Sequence, residues 1–206
     1  MAAVASQSDA VEARYDRVAR FYDCTNILME SFFSKHRKQL LCRARGHVLE
    51  VGVGTGNSFK DYPPGKQLTA VDISHEMLRR AKDKVKNFNG NVELRRENVE
   101  RLPFRDEAFA TIFTSCVFCS VNDPIKGLKE LRRVLKKDGE LLMLEHVRSK
   151  GRVLGYLMDK LNPLVTRYGV DNINRDTEEN LRKAGFKIEQ ERNLAYDIVK
   201  AIVAVK

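Results

Sequence analysis

The sequence has few cysteines and none of the long apolar runs that secreted or membrane-spanning proteins use. Only four of its 206 residues are cysteine, too few for a disulfide scaffold. We therefore expect a reducing compartment, such as the cytoplasm. No apolar run approaches the roughly 20 residues of a membrane span, and residues 1–10 lack the apolar segment of a secretory signal. We expect these residues to form a flexible tail.

Cysteine and histidine are also too sparse for a metal centre. Cys116 and Cys119 have the spacing of a zinc or redox pair, but no second cysteine pair or histidine pair supplies the remaining zinc ligands. No metal is therefore predicted. The sequence also lacks the Asn-Pro-Pro-Tyr type of motif used on flipped bases, and no stretch interleaves aromatic and basic residues. We expect no nucleic-acid partner.

The composition fits one globular domain over residues 1–206. Apolar residues make up 43% of the chain and charged residues 32%. A chain of this length can bury a full core, and no internal repeat or linker divides it. The formal net charge of +9 admits anionic membranes and acidic small molecules as partners. A basic surface without such a partner is the alternative.

The stretch that organises the chain reads His-Val-Leu-Glu-Val-Gly-Val-Gly-Thr-Gly at residues 47–56. Its apolar residues predict a buried strand. Its alternating glycines predict a turn in which the backbone adopts positive φ and admits a ligand closely. Such a turn between a strand and a helix is typical of nucleotide-binding folds. Asp72 ends the next predicted strand, where its carboxylate suits the two hydroxyl groups of a ribose.

Predicted strands and helices alternate along the chain, which indicates a mostly parallel sheet with helices on both faces. The predicted strands are Val48–Val51, Leu68–Asp72, Val92–Arg96, Phe109–Thr114, Glu140–Leu144, Lys187–Glu191 and Asp197–Val205. The predicted helices are Val11–Phe21, Ile27–Cys42, a short one from Asn57, Ser74–Lys86, one that begins after Asp123, and one capped by Asp176 or Thr177 that ends at Ala184. Residues 147–175 break the alternation and show no regular pattern beyond one or two helical turns.

Several motifs resemble, in family order, those of class I S-adenosylmethionine-dependent methyltransferases. They are the Gly-x-Gly-x-Gly turn with Glu50 two residues before it, Asp72–Leu78, Asn98–Phe104 and Arg132–Gly139. This resemblance implies an α/β, Rossmann-like fold with a seven-stranded sheet, mostly parallel and with its last strand antiparallel. It also implies S-adenosyl-L-methionine as the cofactor.

Two parts of the chain resemble different branches of that family. The leader resembles the ubiquinone/menaquinone biosynthesis C-methyltransferases through Tyr15–Ala19, Tyr22-Asp23, Asn26, Leu28-Met29 and His36-Arg37. The turn Val51–Gly56 and the segment Val117–Val121 look more like bacterial phospholipid N-methyltransferases. The resemblance implies that residues 11–45 cover the site and that 147–175 form an acceptor-side insertion.

The resemblance also implies which residues hold the cofactor. The glycines would pass close to its methionine part, Asp72 would bind the ribose, and Asn98 stands where the family usually has aspartate. Asparagine keeps an acceptor oxygen for the adenine amino group. The full predicted set is Tyr15, Tyr22, Glu50, Gly52, Gly54, Gly56, Asn57, Asp72, Ile73, Met77, Asn98, Val99, Glu100, Ser115 and Cys116.

Two residues are candidates for a catalytic role. His146 follows the fifth predicted strand, and its intrinsic pKa near neutrality suits a general base; a structural histidine is the alternative. Tyr22, together with Tyr15, could cover a sulfonium with its aromatic face, or simply pack the helix. Neither is mandatory, because a sulfonium methyl is already electrophilic and needs chiefly alignment with a nucleophile.

The predicted reaction is methyl transfer to a hydrophobic or lipid-like small molecule. Phosphatidylethanolamine N-methylation, quinone C-methylation and a non-catalytic cofactor-binding assembly or regulatory role remain open, as does the oligomeric state. Apolar residues beside basic ones predict a segment that lies on an anionic membrane; a roof over the acceptor pocket is the alternative. The apolar residues are Val153, Leu154, Tyr156, Leu157, Met158, Leu161, Leu164, Val165, Phe32 and Phe33, and the basic ones are Arg148, Lys150, Arg152, Lys160, Arg167, Lys35, Arg37 and Lys38.

Overall fold

The computed structural model describes residues 7–25, 27–168 and 172–206. The predicted leader residues Asn26 and Leu28, and Arg167 of the predicted basic rim, lie outside the described side chains. The helices are α1 Gln7–Thr25, α2 Ile27–Leu41, α3 His75–Lys84, α4 Pro124–Val134, α5 Arg152–Tyr168 and α6 Thr177–Lys183. The strands are β1 His47–Val51, β2 Lys66–Asp72, β3 Gly90–Arg96, β4 Phe109–Ser115, β5 Leu135–His146, β6 Lys187–Ala195 and β7 Val199–Val205.

The strands form one seven-stranded sheet in the order β3-β2-β1-β4-β5-β7-β6. Strand β1 pairs in parallel with both β2 and β4. Strand β7 runs antiparallel between β5 and β6. This arrangement confirms the predicted fold class. The chain leaves β1 toward β3 on one side and fills the other side from β4 onward, so the carboxyl ends of β1 and β4 flank the point where ligands bind in such sheets.

Apolar side chains cover both faces of the sheet because neighbouring residues of a strand point to opposite sides. On one face, Leu49 of β1 joins a buried cluster with Leu128 and Leu131 of α4. On the other, Val48 joins a cluster with Leu41 of α2. The central strands are therefore covered by helices on both faces.

Helix α3 and helix α4 begin where the sequence predicts, because capping side chains fix their starts. The Ser74 hydroxyl accepts a hydrogen bond from Met77 N at the start of α3. The Asp123 carboxylate accepts one from Lys126 N, with Pro124 at the first position of α4. Such caps satisfy backbone N–H groups that have no partner inside the helix.

Several elements have bounds that differ from the prediction. Helix α1 begins at Gln7, earlier than expected. Strand β5 begins at Leu135 instead of Glu140, because it already pairs with β4 at Leu135, before an irregularity that includes Asp138 and Gly139. Strand β6 continues to Ala195.

The largest difference is helix α5, which occupies much of the segment that shows no regular pattern by sequence. Pro163 lies inside this helix, where proline normally removes a hydrogen bond and obscures the pattern. Many of its apolar side chains face solvent; they are Val153, Leu154, Tyr156, Leu157, Leu161 and Leu164. No helix in the described part of the chain has both the length and the apolar content needed to cross a membrane.

Candidate active site

A first cavity lies at the carboxyl ends of β1, β2 and β4, with α1 as one wall. It gathers most of the residues that the sequence predicts as cofactor ligands. Those that line it are Tyr15, Tyr22, Gly52, Gly54, Asp72, Ile73, Met77, Asn98, Val99, Glu100, Ser115 and Cys116. They come from six separate segments, which only the folded sheet brings together.

A second cavity adjoins the first on the α2 side of the glycine turn. The two share Tyr22, Gly52, Gly54, Ser115 and Cys116. Glu50 and Asn57, which the sequence also predicts as ligands, line the second cavity and not the first. Both cavities therefore meet at the glycine turn and at the end of β4.

The three glycines of the turn differ in whether the structure leaves space for a Cβ: it does at Gly54 and does not at Gly52 and Gly56. Gly52, Gly54 and Gly56 all have positive φ. A Cβ on Gly52 would lie 2.4 Å from Val117, and one on Gly56 would lie 2.7 Å from Phe59. A Cβ on Gly54 would meet nothing within 4 Å, so a side chain there would occupy space that a ligand needs. Gly56 lines neither cavity. Close packing against Phe59 explains why this position has glycine and no larger residue.

Asp72 joins the end of β2 to the glycine turn. Its Oδ2 accepts a hydrogen bond from Gly54 N at 2.8 Å, and its Oδ1 accepts one from Ser74 N at 2.9 Å. Burial raises the pKa of Asp72, and these backbone donors act against that shift. Each oxygen of an ionised carboxylate can accept a further hydrogen bond. Asp72 therefore orders the turn and still offers acceptors to the cavity.

Glu50 is buried beneath the second cavity. The Tyr62 hydroxyl donates to its Oε2 at 2.9 Å. Burial raises the pKa of Glu50 to about 7, because removing water penalises the charged form. Nearby, Arg37 Nε donates to Asp61 Oδ2 at 2.7 Å, and both side chains are almost fully buried. The floor of the second cavity is thus a group of buried ionisable side chains.

The loop after β3 closes the first cavity on its far side. Asn98 Oδ1 accepts a hydrogen bond from Glu100 N at 2.9 Å. Glu100 Oε1 in turn accepts from Asp123 N at the start of α4, at 3.1 Å. The acceptor oxygen of Asn98 therefore shapes the loop that borders the first cavity.

Comparison with known proteins identifies the family. Residues 49–143 match the family model for a methyltransferase domain. The chain is 37% identical over 147 residues to a phosphatidylethanolamine N-methyltransferase of Cereibacter sphaeroides, covering 69% of this chain and 71% of that one. The chain belongs to the class I S-adenosylmethionine-dependent methyltransferases. S-adenosylmethionine is the methyl donor of that family.

Other relatives of this methyltransferase differ in their acceptors. It is 36% identical over 143 residues to a demethylmenaquinone methyltransferase of Tropheryma whipplei, covering 66% of this chain but only 58% of that one. Among solved structures, an S-adenosylmethionine-dependent methyltransferase of Thermotoga maritima has a TM-score of 0.70 at 24% identity, covering 95% of this chain and 99% of that one. The structural likeness supports the fold alone.

The first cavity fits the donor of this methyltransferase family. Gly54 leaves open space where any other residue would place a Cβ. Asp72, the predicted ribose ligand, lines the same cavity as Ile73 and Met77, the predicted apolar contacts of the adenine. All residues of the predicted set except Gly56 line one or both cavities, and their contacts with the cofactor stay a prediction.

His146 lies apart from the other predicted residues of the methyltransferase. Its backbone pairs with Val199 at the end of β5, and its side chain lines neither cavity. The prediction of a general base at this position therefore has no support from the geometry of the cavities.

Sequence reasoning missed the role of Glu145. This residue is fully buried, under the loop that follows β4. Glu145 accepts hydrogen bonds from Thr114 Oγ1 at 2.8 Å, and from Val117 N and Phe118 N at 3.1 and 3.3 Å. It thereby supports Cys116, which has a φ of 54° and lines both cavities. The only feature of the sequence that could have indicated this role is an acidic residue at the end of an otherwise apolar strand.

The first cavity opens between α1 and α5. A shallow pocket shares Val11, Ser120 and Asn122 with it and adds residues from both helices. The added residues are Arg14 from α1, Pro163 and Thr166 from α5, and Asn172. Helix α5 therefore borders the mouth of the cavity, on the side where the resemblance predicts the acceptor.

Proposed function

We propose that this methyltransferase transfers a methyl group to a hydrophobic, lipid-like acceptor, which it takes from an anionic membrane surface. The observation that carries the proposal is the position of its exposed apolar side chains. Those of α1 and α5 lie on the two helices that border the cavity mouth. Phe21 of α1 is 60% exposed and Val153 of α5 is 75% exposed.

Exposed basic side chains accompany these apolar ones. Arg17 and Arg20 accompany Phe21 on α1, and the Arg20 guanidinium lies 5.8 Å from the centroid of the Phe21 ring. Arg152 and Lys160 are exposed on α5. An apolar face with lysine and arginine around it is typical of helices that lie in a membrane interface. Each basic residue near an anionic surface contributes about 1 kcal/mol.

Helix α2 contributes less to this surface than the sequence predicts. Phe32 and Phe33 pack against the core cluster instead of facing solvent. Arg37 is buried and paired with Glu30 and Asp61. Of the predicted α2 residues, only Lys35 and Lys38 are exposed. The proposed interface therefore consists mainly of α5, with the exposed residues of α1 in place of the phenylalanines of α2.

The residues around the cavities have distinct proposed roles in the reaction. When bound, the donor supplies a methyl group made electrophilic by the sulfonium. Tyr15 and Tyr22 of α1 exclude water and present aromatic faces to positive charge. Asp72 binds hydroxyl groups, and Ser115 and Cys116 line the junction of the two cavities, where the acceptor atom would be aligned. Alignment and exclusion of water supply about 7–11 kcal/mol in such reactions.

Phosphatidylethanolamine is the more specific candidate acceptor. The relative with that activity is 37% identical, and this chain covers 71% of its length. A quinone precursor is the second candidate, from the relatives that methylate demethylmenaquinone. A purely cofactor-binding role is less favoured, because Glu50, Asp72 and the open position at Gly54 are all intact.

Isotope labelling tests the proposal. The protein is incubated with deuteromethyl S-adenosylmethionine and a total lipid and quinone extract, and the organic and aqueous phases are analysed by mass spectrometry. We expect a deuterated methyl group on a component of the organic phase. Label on an aminophospholipid identifies the first candidate, and label on a quinone precursor identifies the second. Label confined to the aqueous phase, or no label above a heat-inactivated control, contradicts the proposal.

A further inference from the structure

Helix α1 carries two pairs of side chains, one of tyrosines and one of aspartates. The members of each pair have the same spacing along the helix, but the two pairs contact different parts of the protein. Tyr15 and Tyr22 line the first cavity. The residues that follow them in the sequence, Asp16 and Asp23, instead make hydrogen bonds to α3 and to the glycine turn. One face of α1 thus forms a wall of the donor site, and an adjacent face is attached to the body of the protein.

Asp23 lies at the centre of a compact polar cluster. Its Oδ1 accepts hydrogen bonds from Thr55 Oγ1 at 2.6 Å and from Asn57 Nδ2 at 3.0 Å. Its Oδ2 accepts one from Lys84 Nζ at 2.6 Å. Lys84 also donates to Asn57 Oδ1 at 2.6 Å. Both polar atoms of the Asn57 amide are therefore engaged by Asp23 and Lys84.

Asp16 makes the second attachment, at the other end of α3. Its Oδ1 accepts hydrogen bonds from the Ser74 hydroxyl and, at 3.1 Å, from Glu76 N. A carboxylate at a helix N-terminus is favoured by the unpaired backbone N–H groups and by the helix dipole. The two acids of α1 thus hold opposite ends of α3, with the wall residues Tyr15 and Tyr22 beside them.

The ionisation state of Asp23 fits this arrangement. Partial burial acts to raise the pKa of Asp23, but hydrogen bonds from Lys84, Thr55 and Asn57 outweigh it and hold that pKa below its usual value. The carboxylate is therefore charged at neutral pH. Because the Asp23 and Lys84 side chains are 41% and 26% exposed, their attraction is weakened by salt.

We propose that Asp16 and Asp23 are positioning residues that latch α1 over the donor cavity and limit how fast S-adenosylmethionine and S-adenosylhomocysteine exchange. Since α1 forms one wall of the cavity, releasing the latch opens that wall. Asp23 also contacts the glycine turn directly, so a ligand on the turn and the latch on α1 stabilise each other. This inference depends on the family's cofactor site and not on the identity of the acceptor.

Dissociation of S-adenosylhomocysteine and hydrogen exchange of the ligand-free protein test the latch. The variants are Asp23→Asn, Lys84→Met and the double variant, with Asp16→Ala as an independent break of the other attachment. Asp83→Asn is the matched control, because it removes one negative charge from an exposed neighbour of Lys84. Hydrogen exchange of β4 and β5 reports whether each variant remains folded.

We expect Asp23→Asn to release S-adenosylhomocysteine about tenfold faster, and to exchange α1 amides about tenfold faster without ligand. The double variant should be no faster than Asp23→Asn, because both changes break one cluster. High salt should speed release from the wild type more than from Asp23→Asn.

Three results would overturn the inference or the site on which it rests. Release and α1 exchange within twofold of the wild type in both Asp23→Asn and Asp16→Ala, with β4 and β5 still protected, would overturn the latch. Asp83→Asn that speeds release and α1 exchange as much as Asp23→Asn does would also overturn the latch. The cause would then be the loss of one negative charge and not the loss of the contacts of Asp23. Failure of the wild type to bind S-adenosylhomocysteine would overturn the cofactor site itself, and is recognised before any variant is measured.

Discussion

The two helices that flank the shallow pocket beside the first cavity, α1 and α5, differ in their polar contacts and in the apolar side chains that they expose. Helix α1 is fixed by the carboxylates of Asp16 and Asp23, which accept hydrogen bonds at defined distances from α3 and the glycine turn. Helix α5 instead leaves Leu157 and Leu161 about half exposed. A helix held by specific polar contacts suits one ligand of fixed shape. A helix with an exposed apolar face suits a surface that can bury that face.

The energetics of the two helices point the same way. Fully burying one leucine side chain contributes about 1.5–3 kcal/mol. Burying the exposed apolar side chains of α5 in a lipid surface is therefore favourable. In the cluster around Asp23, the partly exposed ion pair with Lys84 contributes at most about 1 kcal/mol, and the hydrogen bonds from Thr55 and Asn57 contribute about 0.5–1.5 kcal/mol each. The polar contacts of α1 therefore suit reversible opening, while α5 suits attachment.

The largest expected effect is on the donor side. Asp72→Ala should weaken binding of S-adenosylhomocysteine by about 1.5–3 kcal/mol, because charge-assisted hydrogen bonds are lost. Isothermal titration calorimetry measures this change. Since Asp72 also holds Gly54 N, thermal unfolding must first show that the variant is folded. An unchanged affinity in a folded variant would remove Asp72 from the donor site.

The matching experiment on the acceptor side changes α5. Replacing Leu157 and Leu161 together with glutamate should lower binding to anionic vesicles at least about tenfold, because apolar burial is lost and anionic lipids repel the new charges. Vesicle flotation at low and high salt measures binding. The control replaces Lys136 and Lys137 with glutamine, because it lowers the net charge equally at an exposed irregularity of β5.

Two outcomes would contradict the membrane proposal. If the wild type remains in the soluble fraction with anionic vesicles at low salt, a water-soluble acceptor becomes the better candidate. Equal loss of binding in the α5 variant and the lysine control would assign the effect to net charge and not to α5.

A smaller effect concerns stability and the second cavity. Because burial raises the pKa of Glu50 to about 7, the folded protein binds more protons than the unfolded chain between the usual glutamate pKa and pH 7. The free energy of unfolding should therefore fall as pH rises across this range. Glu50→Gln should remove about 1–2 kcal/mol of this fall. Urea unfolding at pH 5, 6, 7 and 8 measures the free energy of unfolding of the wild type and of Glu50→Gln. If that free energy depends on pH in the same way in both proteins, the account of Glu50 is refuted.

The smallest expected effect is at His146. Since it lines neither cavity, we expect His146→Ala to change kcat by less than about threefold, far below the 10²–10⁴-fold typical of a lost general base. Steady-state kinetics with the labelled acceptor measures this. A loss of about 10² or more, with S-adenosylhomocysteine affinity intact, would restore the prediction that His146 is the base.

Local signals explain why the sheet and the donor site could be predicted from the sequence. The glycines of the turn need positive φ, and Gly54 needs an open Cβ position; both needs are encoded within a few residues. Ser74 and Asp123 cap their helices through hydrogen bonds to residues three positions along the chain. Such short-range requirements appear directly in residue types and spacing.

Three features near the cavities were not predicted from the sequence. The partners of Asp23 lie 32 to 61 residues away in the chain, and only the docking of α1 on α3 brings them together. Helix α5 has apolar residues at helical spacing, but Gly155 and Pro163 interrupt the pattern. The burial of Glu145 likewise depends on the loop after β4 folding over it.

The most direct test of the account compares both helices in one experiment. The dissociation rate of S-adenosylhomocysteine and the binding to anionic vesicles are measured for the wild type, for Asp23→Asn and for the α5 variant with Leu157 and Leu161 replaced by glutamate. The account predicts that Asp23→Asn speeds dissociation about tenfold with vesicle binding unchanged. It predicts that the α5 variant loses vesicle binding with dissociation unchanged. If either variant alters both properties to the same extent, the donor and acceptor sides are not separate, and the account is contradicted.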